Sequence, residues 1–374
     1  MLRDRCKNTV RQLLATAGIT VNGPQPWDIT VHDDCFYRRV AAHGSLGLGE
    51  SYMDGWWDCP RTDEFIARIL HARLDRQVAG LADLVEAARA RFCNLQDRCR
   101  AFEVGRRHYD IGNDLYLRML DRRMIYSCAF WKNAADLDQA QEYKLDLVCR
   151  KLLLKPGMRL LDIGCGWGGT ARYAAEHYGV SVVGLTVSAE QAELAQKTCR
   201  GLPVEIRLQD YRQINEKFDR VLSLGMFEHV GYKNYRAFME KVRACLAEQG
   251  IFLLHTIGGN RTRTHTDTWI HRYIFPNSML PSPQQAAAAI DDLFVLEDWH
   301  NFGVDYDRTL MVWHHNFHQA WPELAVRYDE RFQRMWSYYL LACAGTFRAR
   351  CNQLWQLVLT PHGIPGGYPA PHHA

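Results

Sequence analysis

The chain has 374 residues, of which 47% are hydrophobic and 23% are charged, and it carries a formal net charge of +3 at pH 7. This length allows two domains, and the small net charge gives no reason to expect a nucleic-acid partner. The chain contains no apolar run of about 18 residues that would predict a membrane span, and its charged start lacks the apolar core of a signal peptide.

The cysteines and histidines predict neither a disulfide framework nor a metal centre. The twelve cysteines are scattered without CxxC pairs, which indicates reduced thiols in a cytoplasmic protein. His314 and His318 stand one helical turn apart, but no further ligand-type residue lies at a diagnostic spacing. We therefore expect no metal site.

Residues 1–92 predict a smaller, mixed α/β domain that begins with a helix near 4–17 and ends with helices within 62–92. Between residues 68 and 107 stand nine arginines and five acidic residues. The last part of this stretch, 93–107, is interpreted as a basic linker. The stretch could lie on an anionic membrane surface or form a solvated helix face, and its charge fits both interpretations.

From about residue 155 the pattern alternates between short apolar strands and helices. Helical spacing covers 170–178, 189–199 and 235–247, and long helices are predicted across 308–344. The strand-like runs, separated by polar or glycine turns, are RLLDIG, SVVGLT, VEIRLQD, DRVLSLG, GIFLLHTIG, LFVLEDWH and LWQLVLT. This alternation predicts an α/β fold with a doubly wound, mostly parallel sheet.

The strongest single motif is LLDIGCGWGG at 160–169, where an apolar strand runs into a glycine-rich turn and a helix follows. Glycines at alternate positions let the backbone turn tightly and approach a ligand, while the helix start offers free N–H groups. The motif resembles the first motif of S-adenosylmethionine-dependent methyltransferases. Because Gly169 also completes the GxGxxG pattern of a dinucleotide loop, both ligands remain open at this point. The predicted cofactor residues of the loop are Asp162, Gly164, Cys165, Gly166, Trp167 and Gly168.

The ends of the next two strands favour a methyl-donor site over a dinucleotide site. The second strand ends in Thr186 and Val187 instead of an acidic residue, and Gln191 on the following helix can hydrogen-bond a ribose. After the third strand, Asp210 is placed for the adenine amino group and Tyr211 for packing on the ring. S-adenosylmethionine is therefore the expected ligand.

Motifs along nearly the whole chain resemble those of the bacterial cyclopropane-fatty-acyl-phospholipid synthases. In chain order they are HYDIGNDLY, YSCAFW, LDIGCGWGG, TVSAEQ, MFEHVG, LLHTIG, WHNFGVDYDRTL and ACAGTFRAR, and GSLGLGESYMDGWWDC resembles the amino-terminal domain of that family. The resemblance implies a catalytic domain of the S-adenosylmethionine-dependent methyltransferase type over 108–360. The Pro-, Gly- and His-rich residues 361–374 are expected to be disordered.

The resemblance implies transfer of a methylene group from S-adenosylmethionine to the cis double bond of an unsaturated acyl chain in a membrane phospholipid. An alkene is a weak nucleophile, so methyl transfer leaves positive charge on carbon. Loss of a proton from the new methyl group then closes a cyclopropane ring. Such chemistry needs negative potential near the cation, a positioned base and the exclusion of water.

The resemblance also implies that bicarbonate is the base, held by the residues that match Cys128, Glu228, His255 and Tyr306. His255 and Tyr306 can donate hydrogen bonds to the anion, and Glu228 can accept one from its O–H. The backbone N–H of Ile257 can add a further donor. Glu228 and His255 each have a structural alternative, as an acid at a helix start and as a core histidine.

Three side chains before the glycine loop resemble the cofactor contacts of the family. Tyr126 is expected over the methionine end of S-adenosylmethionine, with Ser127 beside it and Tyr109 covering the same end. Cys343 matches a position nominated by similarity as an active-site cysteine. The reaction needs no thiolate, however, and a cysteine on an apolar helix usually packs.

The resemblance further implies a homodimer that is peripheral on the inner face of the cytoplasmic membrane. Residues 258–283 mix basic and aromatic side chains and could form a lid over an acyl tunnel or a long structural loop. One alternative function is a methyltransferase that acts on another lipid or small molecule without ring closure. Another is an RNA-binding protein, which would need a basic groove with exposed aromatic residues.

Overall fold

The computed structural model describes residues 2–76 and 112–372, which form two compact units. Unit 1 comprises the described part of residues 1–94 together with 264–276 and 306–352. Unit 2 comprises the rest of the described chain. Along the sequence, the chain therefore returns to unit 1 twice.

This division differs from the two contiguous domains, 1–92 and 108–360, that the sequence predicts. The segments 264–276 and 306–352 belong to unit 1 because their apolar side chains are buried there. Trp269, for example, is 1% exposed, and a methyl group on Gly49 would lie within 2.4 Å of its ring. The predicted basic linker 93–107, the predicted helical residues 77–92 and Tyr109 lie outside the described residues.

The helices and strands of the described residues follow the predicted alternation. The helices are α1 Leu2–Thr16, α2 Cys35–Met53, α3 Thr62–His71, α4 Asn113–Met119, α5 Leu137–Lys151, α6 Gly169–Tyr178, α7 Ala189–Thr198, α8 Tyr235–Cys245, α9 Thr268–Tyr273, α10 Pro283–Ile290, α11 Val304–Leu324 and α12 Glu330–Arg348. The strands are β1 Thr30–Val31, β2 Trp57–Asp58, β3 Arg159–Ile163, β4 Ser181–Thr186, β5 Val204–Leu208, β6 Phe218–Leu224, β7 Leu246–Gly259, β8 Val295–Asn301 and β9 Asn352–Thr360.

Unit 1 is mainly helical. Helix α12 packs against α2 and α3, and β1 pairs with β2 in a short antiparallel ribbon. The approach of α12 to α3 is close, because a Cβ added at Gly345 would lie 2.6 Å from the carbonyl oxygen of Asp63. Arg348 at the end of α12 donates to the carboxylates of Asp63 and Asp307, so an ion-pair network joins distant parts of the sequence.

Unit 2 is built around a seven-stranded sheet in the order β5-β4-β3-β6-β7-β9-β8. Strand β3 pairs in parallel with β4 and β6, β4 with β5, and β6 with β7, whereas β8 and β9 are antiparallel. The predicted doubly wound, mostly parallel sheet is confirmed. Successive side chains of a strand point to opposite faces, so Leu161 joins one buried cluster and Leu160 joins another.

The strand order determines where a ligand can bind. From β3 the chain proceeds outward to β4 and β5, and it then returns to the other side of β3 as β6. The sheet therefore has a topological switch point between β3 and β6, and ligands of open α/β sheets bind at the carboxyl ends of the strands at such points.

The carboxyl-terminal residues 361–372 are packed on unit 2, so the predicted disorder of 361–374 is wrong for these residues. The Tyr368 hydroxyl donates to the carbonyl oxygen of Lys151 at 2.8 Å, and the Ile364 N–H donates to Glu297 Oε1 at 2.7 Å. Both side chains also pack against an apolar cluster of unit 2. Although the composition of this segment is typical of disorder, the contacts of Ile364 and Tyr368 are sufficient to hold it on unit 2.

Within residues 2–76 and 112–372, no helix combines the length and the apolar character needed to cross a bilayer.

Candidate active site

A cavity of about 180 Å³ opens in unit 2 at the carboxyl ends of β3, β4, β5 and β6. Most of the residues predicted to bind a cofactor line it: Tyr126, Ser127, Asp162, Gly164, Cys165, Gly166, Trp167, Thr186, Val187, Gln191, Asp210 and Tyr211. Gly168 does not line the cavity and instead precedes helix α6. Side chains from four strand ends therefore converge on one cavity.

The glycine turn between β3 and α6 needs its glycines. Gly164, Gly166 and Gly168 have φ values of 88°, 54° and 81°, a region that residues with a Cβ rarely adopt. At Gly164 a Cβ would also lie 2.9 Å from Cβ of Met226. Gly169 and Thr170, the first residues of α6, line the cavity, and the first N–H groups of a helix have no partner within the helix.

The side chains predicted at the ribose are already oriented by hydrogen bonds. The Thr186 hydroxyl donates to Gln191 Oε1 at 2.9 Å, and the Gln191 N–H donates to the hydroxyl of Ser188, which begins α7. The oxygen of the Gln191 amide is therefore engaged, and its NH₂ group is the part suited to a ligand hydroxyl.

Asp210 and Tyr211 lie where the third strand ends, as the sequence predicts. Asp210 is 2% exposed, and its carboxylate accepts hydrogen bonds from the backbone and the guanidinium of Arg212 at 2.9 and 2.8 Å. Each carboxylate oxygen retains a lone pair for a further donor such as an amino group. The Tyr211 ring packs edge-on against Phe238, with 5.1 Å between ring centroids.

The other end of the cavity is aromatic. The ring of Tyr116 lies between Tyr126 and Trp167, at centroid distances of 5.2 and 4.8 Å. The Trp167 indole donates to Asn113 at 2.8 Å. Tyr116 and Asn113 were not among the predicted site residues, although both lie in α4 and within the HYDIGNDLY motif.

Glu228 follows β6 in a short 3₁₀ turn and is 5% exposed. Its Oε1 accepts a hydrogen bond from the backbone N–H of Ile257 at 2.6 Å. This N–H was expected to donate to the bicarbonate ion, but in the structure it donates to Glu228. Among the described residues Oε2 has no hydrogen-bond partner. Burial raises the pKa of the carboxyl to about 7.

His255 lies within β7, directly opposite Leu224, the last residue of β6. Glu228 follows β6, so the two side chains belong to neighbouring segments of the sheet. The Gln356 amide donates to His255 Nδ1 at 3.3 Å, which places the ring hydrogen on Nε2. Nε2 itself has no partner among the described residues. Burial holds the pKa of this imidazole well below its ordinary value, so the ring is a neutral donor.

Unit 2 also holds Cys128, which is buried, and His229, which is half-buried. The Cys128 thiol is fully buried and contacts the carbonyl oxygen of Ala129 at 3.2 Å. His229 lines the cavity, and burial lowers its pKa to about 4, so it is neutral. Among residues 2–76 and 112–372, no three His, Cys, Asp or Glu side chains cluster closely enough to hold a metal ion.

Tyr306 and Cys343, two of the predicted catalytic residues, belong to unit 1. Tyr306 is 9% exposed and packs against Phe347 and Trp313, with centroid distances of 4.6 and 6.0 Å. Burial raises the pKa of the Cys343 thiol to about 12, so it is protonated at neutral pH and a poor nucleophile.

The variant Cys343→Ser is therefore expected to retain activity within about threefold of the unsubstituted protein, because a protonated, half-buried thiol on a helix acts through packing. The readout is the initial rate of lipid modification, with thermal denaturation as the check on folding. Complete loss of activity in a folded Cys343→Ser protein would show that the thiol takes part in the reaction.

Comparisons with known proteins find the same family that the sequence motifs resemble. Residues 96–357 match the family described as mycolic acid cyclopropane synthetase. The "Cyclopropane-fatty-acyl-phospholipid synthase" of Escherichia coli (strain K12) is 55% identical over 365 residues, which cover 97% of this chain and 95% of that protein. The "Tuberculostearic acid methyltransferase UfaA1" of Mycobacterium tuberculosis is 31% identical over 369 residues, which cover 91% and 85%.

Two solved structures show the same similarity in three dimensions. The cyclopropane synthase MmaA2 from Mycobacterium tuberculosis gives a TM-score of 0.66 at 34% identity and covers 69% of this chain and 97% of its own. The mycolic acid cyclopropane synthase CmaA1 "complexed with SAH and CTAB" gives a TM-score of 0.64 at 33% identity, with the same coverage.

Proposed function

The chain belongs to the mycolic acid cyclopropane synthetase family, and from this premise we propose that it converts unsaturated acyl chains of membrane phospholipids into cyclopropane acyl chains. The methylene group comes from S-adenosylmethionine. The observation that carries the proposal is a pair of buried polar atoms on neighbouring segments of the sheet, Glu228 Oε2 just after β6 and His255 Nε2 on β7. Neither atom has a partner among the described residues.

S-adenosylmethionine bound in the cavity supplies the methyl group. The residues that line the cavity match the two ends of this ligand. Gln191 and Asp210 present a donor and an acceptor suited to its ribose and adenine, while Tyr126 and Trp167 form an aromatic wall at the methionine end. Aromatic faces attract a sulfonium cation through their negative quadrupole.

Glu228 and His255 provide the polarity that a bicarbonate ion requires. The carboxylate accepts the O–H of the anion, while the neutral imidazole donates to an anionic oxygen. Bicarbonate held there would supply the base that removes the proton from the new methyl group. We assign Cys128 to the same ion, as the family motifs imply, and the role that these motifs imply for Tyr306 stays a prediction. The ionised form of Glu228 would also stabilise a carbocation, since attraction is weakly screened in a buried site.

The proposal is tested by incubating the purified protein with S-adenosylmethionine and vesicles of a monounsaturated phospholipid. Fatty-acid analysis is expected to show the gain of one CH₂ as a ring. Vesicles of the saturated phospholipid are the matched control and must remain unchanged. A methyl branch without a ring would support the alternative methyltransferase function, and unchanged lipid with bound cofactor would overturn the phospholipid substrate.

The substrate lies in a bilayer, so we also propose that the protein acts as a peripheral protein on the inner face of the cytoplasmic membrane and as a homodimer. Co-sedimentation with vesicles and the mass of the particle in solution test these two points separately. Protein that stays in the supernatant, or a monomeric mass at working concentration, would contradict the corresponding point.

Removing bicarbonate is expected to lower the rate of ring formation at least about tenfold, because the side chains of Glu228 and His255 then lack the ion that acts as the base. The measurement compares carefully degassed, bicarbonate-depleted buffer with the same buffer after bicarbonate is restored. The rate should recover on addition. A rate that does not depend on bicarbonate would show that a protein side chain is the base.

A further inference from the structure

Helix α5 presents two fully buried polar side chains, Gln141 and Lys144, to the loop of residues 121–128. Side chains three positions apart lie on the same face of a helix. Gln141 Nε2 donates to the carbonyl oxygen of Ser127 at 2.8 Å, and Lys144 Nζ donates to the Ser127 hydroxyl oxygen at 3.0 Å. Ser127 is therefore held from its backbone and from its side chain by one helix.

The contact with Lys144 determines the direction in which the Ser127 hydroxyl can donate. An ammonium group has donors only, so the oxygen of Ser127 is the acceptor of this hydrogen bond. The hydrogen of the hydroxyl must then point elsewhere, and within residues 2–76 and 112–372 it finds no acceptor. Because Ser127 lines the cavity, this hydrogen is available to a ligand.

Lys144 also acts on the charge of Asp162. Asp162 lines the cavity, is 1% exposed, and has no partner for Oδ2 among the described residues. Burial raises its pKa to about 7, and the charge of Lys144 opposes that rise. Burial lowers the pKa of Lys144 to about 8, against the opposing effect of Asp121, so Lys144 is mainly protonated at neutral pH.

We propose that Lys144 is a positioning residue for the amino-acid end of S-adenosylmethionine. It directs the Ser127 hydroxyl toward the ligand carboxylate, and its charge favours the ionised form of Asp162, whose Oδ2 is placed for the ligand ammonium group. This inference rests on the proposed methyl-donor site. The cavity then has two ends. Side chains oriented by α5 bind the amino-acid part of the ligand, and Gln191 and Asp210 bind the nucleoside part.

The test uses two ligands that differ only at the amino-acid end of the site. S-adenosylhomocysteine carries the carboxylate and the ammonium group, whereas 5′-methylthioadenosine lacks both. We expect Lys144→Met to raise the Kd of S-adenosylhomocysteine roughly 10- to 100-fold. Without Lys144 the Ser127 hydroxyl is no longer oriented, and its hydrogen bond to the charged carboxylate of the ligand is lost. The Kd of methylthioadenosine should change less than about threefold. Titration calorimetry on the full chain measures both constants.

Lys151 provides a matched control on the same helix. It is also fully buried, its Nζ pairs with Asp298 at 3.0 Å, burial lowers its pKa to about 8, and it does not line the cavity. Lys151→Met should therefore leave both Kd values unchanged, even if it lowers the thermal stability as much as Lys144→Met does.

A second variant, Ser127→Ala, keeps the test decisive if Lys144→Met does not fold. Since Lys144 acts partly through the hydroxyl, Ser127→Ala must also weaken S-adenosylhomocysteine selectively. Unchanged binding of S-adenosylhomocysteine, or equal losses for both ligands, would overturn the inference and leave Lys144 a structural residue. If the unsubstituted protein binds neither ligand, the methyl-donor site itself fails, which is a different result.

Discussion

The variant Glu228→Gln is expected to lower kcat for ring formation roughly 100- to 1,000-fold while S-adenosylhomocysteine binds with unchanged affinity. The glutamine oxygen can keep the hydrogen bond from the Ile257 N–H. Its NH₂ group then occupies the position of Oε2, the buried oxygen without a partner among the described residues. The side-chain atom that accepts the O–H of bicarbonate is thereby replaced by a donor, and the negative charge near the carbocation is removed.

The initial rate of mass gain in lipid measures kcat, and titration calorimetry measures the cofactor affinity. Glu216→Gln is the control, since Glu216 pairs with Arg159 and Arg207, is 40% exposed, and lies outside the cavity. That variant should be as active as the unsubstituted protein. A Glu228→Gln protein with near-normal kcat would remove Glu228 from the mechanism.

The second large effect is expected from Gly169→Ala, which should weaken binding of S-adenosylhomocysteine roughly 10- to 100-fold. A Cβ at Gly169 would lie 2.2 Å from the carbonyl oxygen of Arg123 and 2.6 Å from Cδ1 of Ile125. The backbone can relieve this clash only if the loop of residues 121–128 moves, and this loop carries Tyr126 and Ser127 into the cavity. Overpacking of this kind costs about 1–3 kcal/mol.

Gly157→Ala separates this clash from a general effect of losing a glycine. Gly157 has a φ of 86°, and a Cβ there would meet no atom within 4 Å. We therefore expect Gly157→Ala to lower the thermal midpoint through backbone strain without changing the cofactor affinity. Unchanged binding by a folded Gly169→Ala protein would mean that the loop can shift without affecting the cavity.

The position of Glu228 could be predicted because it follows an apolar run that forms a buried strand, and the carboxyl ends of parallel strands meet at one edge of a sheet. His255 was expected just past a strand end as well, but it lies inside β7, which continues to Gly259. The partner of Ile257 could not be predicted in this way. Its N–H reaches Glu228 because β6 and β7 pair in one particular register, and that register is a property of the whole sheet.

Lys144 was missed for a related reason. In the sequence QEYKLDLV it stands among charged residues on an amphipathic helix, where a lysine normally faces water. Only the packing of the loop of residues 121–128 over α5 buries it beside Ser127. The packed tail was likewise missed, because composition does not reveal that Tyr368 finds the carbonyl oxygen of Lys151.

The discontinuous composition of unit 1 has a consequence for synthesis on the ribosome. The pair Arg348 and Asp63 joins residues separated by 285 positions, and Gly49 packs against Trp269. The amino-terminal segment therefore leaves the ribosome long before its packing partners exist, with the apolar surface around Trp57 still exposed to water. Such delayed, long-range closure slows folding and favours aggregation of incomplete chains. Chaperone supply should thus affect the yield of folded protein.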